Sequence, residues 1–253
     1  MKLRVLGCHG GELPGFRTTC LLIDEKTALD AGALTATLAL PELVEVDDIF
    51  LTHSHLDHVK DVALLADLLI SQRETPVRIR GTKACLDTIG GSLLNDRLWP
   101  DFTKLPNASH PVVELVPLTA GEPVQVRHLS WTAVPVTHPV DSVGYVIASG
   151  GRSIVLSGDT GPTEALWKAV NARNDVAALF VELSFPNELQ WLADISGHLT
   201  PRTLAQELAK ARGDMPVFLY HLKPAFLDVL RREVEELHNP RLEILELDDE
   251  LEF

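Results

Sequence analysis

The chain has 253 residues, 45% of them hydrophobic, enough to bury a substantial core, and 36 acidic against 22 basic residues give it a formal charge of −14. That balance argues against a general polyanion binder, although cations held in a pocket would still draw in a single phosphate. No apolar run approaches the roughly 20 residues of a bilayer-spanning helix, and three scattered cysteines, Cys8, Cys20 and Cys85, indicate neither a disulfide framework nor a Cys-x-x-Cys site.

Met1 to Cys8 reads as a first strand without the longer apolar region of a secretory signal, so a cytoplasmic location is expected. Gly7-Cys8-His9-Gly10-Gly11 follows as a turn whose glycines either only turn the chain or let backbone approach a ligand. His9 is expected to be structural or substrate-adjacent. Thr19 to Ile23 and Ala28 to Asp30 read as the next strands, and Asp48 to Leu51 as the end of a buried one. Directly after it stand His53, His55, Asp57 and His58, four potential metal ligands within six residues. A strand tip followed by a tight turn can aim His53 and His55 to one side and Asp57 and His58 to the other, which suits two metals. Imidazole with carboxylate favours zinc or a first-row transition ion over calcium or magnesium.

Val59 to Ile70 has helical apolar spacing and should pack on the sheet. Pro76 to Gly81 is a strand, Thr82 to Leu94 a helix interrupted at Gly90-Gly91, and Leu94 to Phe102 an aromatic, proline-bearing loop. The second half repeats the strand logic, with strands expected over Val112–Val116, Val124–His128, Trp131–Thr137, Val143–Ala148 and Ser153–Leu156. A helix from Pro162 to Ala172, a buried strand from Val176 to Val181 and a helix capped by Thr200 come next. A strand to His221, a helix near Ala225–Leu237 and a strand over Leu242–Leu247 complete the series, with Glu246 to Glu252 as a solvated acidic tail.

The order His-x-His-x-Asp-His resembles the signature of the metallo-β-lactamase superfamily. Its class II 3',5'-cyclic-nucleotide phosphodiesterase branch is resembled further by Trp99-Pro100-Asp101-Phe102, Ser157-Gly158-Asp159-Thr160-Gly161-Pro162, Glu182 to Asn187, Ser196-Gly197-His198-Leu199-Thr200-Pro201 and His221-Leu222-Lys223-Pro224. The chain departs from that branch at Asp61 and Ala66, where a small Gly or Ser and a Ser are usual. The resemblance implies an αββα sandwich, two mixed sheets flanked by helices, as a single domain over residues 1–253. It implies two divalent metal ions, zinc expected and iron or manganese able to use the same set. One would be held by His53, His55 and His138, the other by Asp57, His58 and His221, with Asp159 bridging them. It also implies hydrolysis of a cyclic nucleotide (cAMP or cGMP) to the 5'-monophosphate by a hydroxide shared between the metals. Asp57, His198 and Glu182 form the expected catalytic set, His198 as proton donor to the leaving alkoxide and Glu182 orienting it. His198 also faces the substrate, and Trp99 and Phe102 are expected to stack on its base.

The expected partner is a small phosphodiester, with no long nucleic acid, no membrane, and a homodimer through Thr82 to Leu105. One rival is an RNA phosphodiesterase like tRNase Z, which needs a basic, Gly- and Pro-rich arm that is not evident here. Another is a small-molecule ester hydrolase of the same fold. A non-catalytic metal-bound regulator is the third.

Overall fold

The computed structural model describes every residue from Met1 to Phe253. The first half contributes β1 (Lys2–Gly7), β2 (Cys20–Ile23), β3 (Thr27–Leu29), α1 (Leu34–Thr37), α2 (Leu40–Glu45), β4 (Asp48–Phe50), α3 (Leu56–Leu69), β5 (Val77–Thr82) and α4 (Lys83–Thr88). A π-helical turn over Ile89–Leu93 falls where the Gly90-Gly91 pair interrupts the helical pattern, and a short hairpin of β6 (Pro106–Asn107) and β7 (His110–Pro111) precedes β8 (Val113–Leu118). The second half contributes β9 (Pro123–Val126), β10 (Leu129–Pro135), β11 (Val143–Ser149), β12 (Arg152–Leu156), α5 (Ala165–Asn171), β13 (Val176–Glu182) and α6 (Gln190–Ser196). It ends with α7 (Pro201–Leu208), β14 (Val217–Tyr220), α8 (Leu227–Glu235), β15 (Leu242–Ile244) and β16 (Glu250–Glu252).

Two seven-stranded sheets result, ordered β16-β1-β2-β3-β4-β5-β8 and β15-β14-β13-β12-β11-β10-β9. Alternation along the strands sorts the side chains between layers. Leu21 and Ile23 of β2 enter the core between the sheets, while Cys20 and Leu22 enter the layer beneath α1 to α4. Phe50 lies flat on Trp131 across the inter-sheet core, ring centroids 3.8 Å apart, and the Tyr145 hydroxyl donates to the Leu51 carbonyl at 2.8 Å. A third apolar layer, with Leu166, Trp167, Leu204 and Leu230, joins the second sheet to α5, α7 and α8. The architecture is the expected αββα sandwich.

The end of the chain differs from expectation. β16 pairs antiparallel with β1, Lys2 opposite Glu252 and Arg4 opposite Glu250, and Phe253 packs edge-on against Phe180 and Phe218. The last three acidic-segment residues, Glu250 to Glu252, are therefore an edge strand, joined to β1 also by the Lys2–Glu250 ion pair at 3.0 Å, and not part of a solvated tail. The helix expected from Pro162 begins only at Ala165. No helix is long and apolar enough to cross a membrane.

Strand direction decides where the polar residues gather. β3 and β4 are parallel, and so are β12, β13 and β14. β10 is antiparallel to β11, which is antiparallel to β12, so β10 runs the same way as β12. Asp30, His53, His138, Asp159, Glu182 and His221 all stand at or just past the carboxyl end of one of these strands. Such ends are where open α/β sheets hold their ligands.

Candidate metal centre

Two of the compact donor groups at this edge are His53, His55, His138 and Asp57, His58, His221, each with one donor atom per residue within 4.8 Å of the others. Asp159 lies between them. Its Oδ2 is 3.8 Å from His53 Nε2, 3.2 Å from His58 Nε2 and 3.2 Å from His221 Nε2. His55 Nδ1 faces His138 Nε2 at 3.1 Å, and Asp57 Oδ2 faces His221 Nε2 at 3.3 Å. All seven residues named from the sequence thus converge. Gly158 has φ +63, and a Cβ there would lie 2.6 Å from the Val143 carbonyl oxygen, so glycine lets the turn place Asp159 this deep.

The outward nitrogens of five of the six imidazoles, all but His55, are engaged. Nδ1 of His138 donates to the Gly197 carbonyl at 2.9 Å, which turns Nε2 toward His55. The other four rings are held by two matching devices. In the first half, buried Asp30 accepts from His58 Nδ1 at 2.7 Å and from the Thr52 hydroxyl at 2.9 Å, and that hydroxyl accepts from His53 Nδ1 at 3.0 Å. In the second half, buried Glu182 accepts from His198 Nδ1 at 2.9 Å and from the Ser184 hydroxyl at 3.0 Å, and that hydroxyl accepts from His221 Nδ1 at 2.9 Å. Each carboxylate therefore orients one imidazole directly and a second through a hydroxyl, leaving the Nε2 atoms free on the inner side. Glu182 also accepts from the amides of Thr160 and Leu199, both at 3.2 Å. Asp30, with φ +57, and His221, with φ +66, occupy left-handed backbone that non-glycine residues rarely adopt, and such strain gathers at functional sites.

The donor set fits cations. The buried His53 Nε2, His58 Nε2 and Asp159 Oδ1 have no hydrogen-bond partner, although buried polar atoms are almost always paired. Burial pushes His53 well below the ordinary imidazole range and lowers His55 and His138, so these rings are neutral at pH 7, as ligation requires. Burial also works against a proton on His58, but the carboxylates of Asp159 and Asp30 on either side hold it well above the usual range. Burial alone would raise Asp159, yet His221 and His58 bring it well below an ordinary carboxyl. For His198 burial is again unfavourable to charge, and Glu182 overcomes it and raises the ring.

Asp30, Thr52 and Ser184 were assigned no role from the sequence. The Asp30-Ala31-Gly32 turn and the hydroxyl beside each anchoring carboxylate or histidine were the available signals. Phe102 corrects an expectation: it is 2% exposed within the layer beneath α1 to α4 and has no ring face to offer a base. Trp99 is half-buried against the same layer, its indole nitrogen enclosed without a partner. His9 packs edge-on against Phe16 at 4.9 Å, and the neighbouring Cys8 carbonyl accepts from the His221 amide at 2.6 Å. Burial lifts the Cys8 thiol to about 12, so it is inert filler. Asp61 is buried and accepts from the Thr35 amide at 2.7 Å, at the start of α1.

An αββα sandwich with paired His and Asp triads at its strand ends defines the metallo-β-lactamase class of fold, which implies divalent metal ions. The family model described as "Beta-lactamase superfamily domain" matches residues 22–221, and the chain belongs to this family. Among known proteins, it is 25% identical to ribonuclease BN of Cronobacter sakazakii over 233 aligned positions, covering 72% of each. Among solved structures it is similar to unliganded yeast PDE1, with TM-score 0.83 and 20% identity over 100% of this chain and 99% of that one. The short form of human tRNase Z (ELAC1) has TM-score 0.71 and 18% identity over the same shares.

Proposed function

We propose that the protein is a dinuclear metal-dependent phosphodiesterase that opens a 3',5'-cyclic nucleotide to the nucleoside 5'-monophosphate. The observation that carries this reading is the meeting of two donor triads around Asp159 with a histidine held by a buried carboxylate, since His198, His138 and Asp159 have donor atoms within 4.8 Å of one another. His53, His55 and His138 would hold one cation, Asp57, His58 and His221 the second, and Asp159 would serve both. Bound divalent cations polarise phosphoryl oxygens and lower the pKa of water from about 15.7 to about 7. The protein's own part is to fix the ligands, to exclude water beneath them, and to deliver a proton. Hydrolysis adds water across one P–O bond; phosphorus keeps the new oxygen, and the departing 3' oxygen needs a proton. His198 is the donor in this reading. Its Nδ1–H is committed to Glu182, so Nε2 faces the site, and Glu182 keeps the ring charged to higher pH.

The acidic balance supports a small anionic substrate over a long polyanion, and the motifs shared with class II cyclic-nucleotide phosphodiesterases support the cyclic nucleotide. A second reading, cleavage of an RNA phosphodiester, is favoured by the similarity to ribonuclease BN. Metal-replete protein assayed against cAMP, cGMP, 2',3'-cyclic nucleotides, bis-p-nitrophenyl phosphate, a thioester and a lactam, with metal content measured in the same sample, tests the proposal. Preferential opening of a 3',5'-cyclic nucleotide, lost in Asp159→Ala, is the expected result. Turnover of the generic diester alone would leave the metal chemistry and remove the nucleotide.

A further inference from the structure

The turn that begins at Gly10 lies directly on the chain leaving His221. The Gly10 amide donates to the Leu222 carbonyl at 3.1 Å, and Lys223 Nζ donates to the Gly10 carbonyl at 3.2 Å. A Cβ at Gly10 would stand 2.6 Å from the His221 carbonyl oxygen and 2.8 Å from its ring, so only glycine lets the turn rest on this histidine. Between Gly10–Leu13 and Lys223–Phe226 lies a cleft of about 230 Å³, walled by Leu13, Pro224 and Phe226. That is smaller than the roughly 300–1,000 Å³ of a whole small-molecule site, so it takes part of a ligand. Leu13 is 54% exposed at the cleft, an apolar side chain with little covering it.

Lys223 gives the cleft a charge beside the metal centre. Its Nζ lies 5.1 Å from the centroid of Phe185, whose ring meets His198 edge-on at 5.7 Å, so the three follow one another around the site. Only one acceptor, the Gly10 carbonyl, takes up the three ammonium protons. The acid on the turn, Glu12, also lines the cleft, and its carboxylate pairs with Lys60 at 3.3 Å and not with Lys223. Phe102, expected to meet the base, is in the core.

We propose that this cleft is the nucleobase subsite, with Leu13 and Phe226 enclosing the base and Lys223 pairing with the phosphate anion. The inference rests on the cyclic-nucleotide reading. It is tested on holoenzyme by calorimetric binding of a nucleoside 5'-monophosphate and of ribose 5-phosphate, which differ only in the base, alongside turnover of the cyclic nucleotide. A Cβ at Gly11 would lie 3.5 Å from Pro224, an ordinary contact, so in Gly11→Leu the side chain grows toward the cleft. Wild type is expected to favour the nucleotide about tenfold or more, and Gly11→Leu to erase most of that margin. Lys223→Gln is expected to weaken both ligands about tenfold or more, with Lys223→Arg restoring most of the loss. A margin unchanged in Gly11→Leu, in a wild type that opens cyclic nucleotides, would overturn the subsite alone. Lys223→Gln with a lowered Tm and unchanged affinities would overturn the role of the lysine. A wild type that opens no cyclic nucleotide would refute the enzymatic reading and the subsite with it.

Discussion

His198 and its carboxylate separate positioning from ligation at the level of single side chains. In His198→Ala both triads remain, so metal content should stay at the wild-type level while kcat falls about 10²–10⁴-fold; metal analysis with single-turnover kinetics reads both. Burial opposes the charge on His198 and Glu182 raises its pKa above the ordinary imidazole value. A proton donor acts only while protonated, so kcat should fall as pH rises through that raised pKa. Glu182→Gln removes the raising influence, and the alkaline limb of the kcat profile should move to lower pH. An unmoved limb would take the proton-donor role away from this pair. Asp30 works on the opposite side, holding His58 directly and His53 through Thr52. Asp30→Asn should cost about 10–100-fold in metal affinity, measured by competition with a chelator.

Among the elements, the pairing of β4 with β5 depends on a buried carboxylate. Asp48 accepts from Arg78 at 2.9 and 2.8 Å and from Arg80 at 2.7 Å, and the strand register sets it opposite Arg78. Burial alone would raise Asp48, but the two guanidiniums hold it below the ordinary carboxyl value. A folded-state pKa below the unfolded one contributes stability above the unfolded value, about 3.9, and loses it as pH falls through the folded value. Asp48→Asn should therefore lower stability near neutral pH by about 2 kcal/mol, less than a fully buried pair because Arg78 stays 39% exposed. The deficit should shrink in acid, as denaturant melts at pH 7 and pH 3 would show. What was legible in the sequence also divides by element. Strands such as Val176–Glu182 announce themselves by an unbroken apolar run, here Val176 to Val181. β16 does not, because its pairing with β1 joins opposite ends of the chain and its acidic residues carry no local sign of a strand. The four-residue α1 and the six-residue α2 are too short for periodicity to declare them.

For the whole molecule, the converging donor set was legible because strand ends and metal-binding residue types coincide in the sequence. The hydroxyls that complete the two anchoring devices were not, because Thr52 and Ser184 acquire meaning only when the sheets bring Asp30 to His58 and Glu182 to His198. Nor can an aromatic's sequence neighbours say which layer receives it, as Phe102 shows. The proposed substrate, a cyclic nucleotide, is separated from its rival by the kcat/KM of one metal-quantified preparation for a 3',5'-cyclic nucleotide and for a 3'-extended tRNA precursor. Efficient opening of the cyclic nucleotide with little cleavage of the RNA is the predicted result. Efficient RNA cleavage with an inert cyclic nucleotide would exclude a cyclic-nucleotide phosphodiesterase and leave the ribonuclease reading in its place.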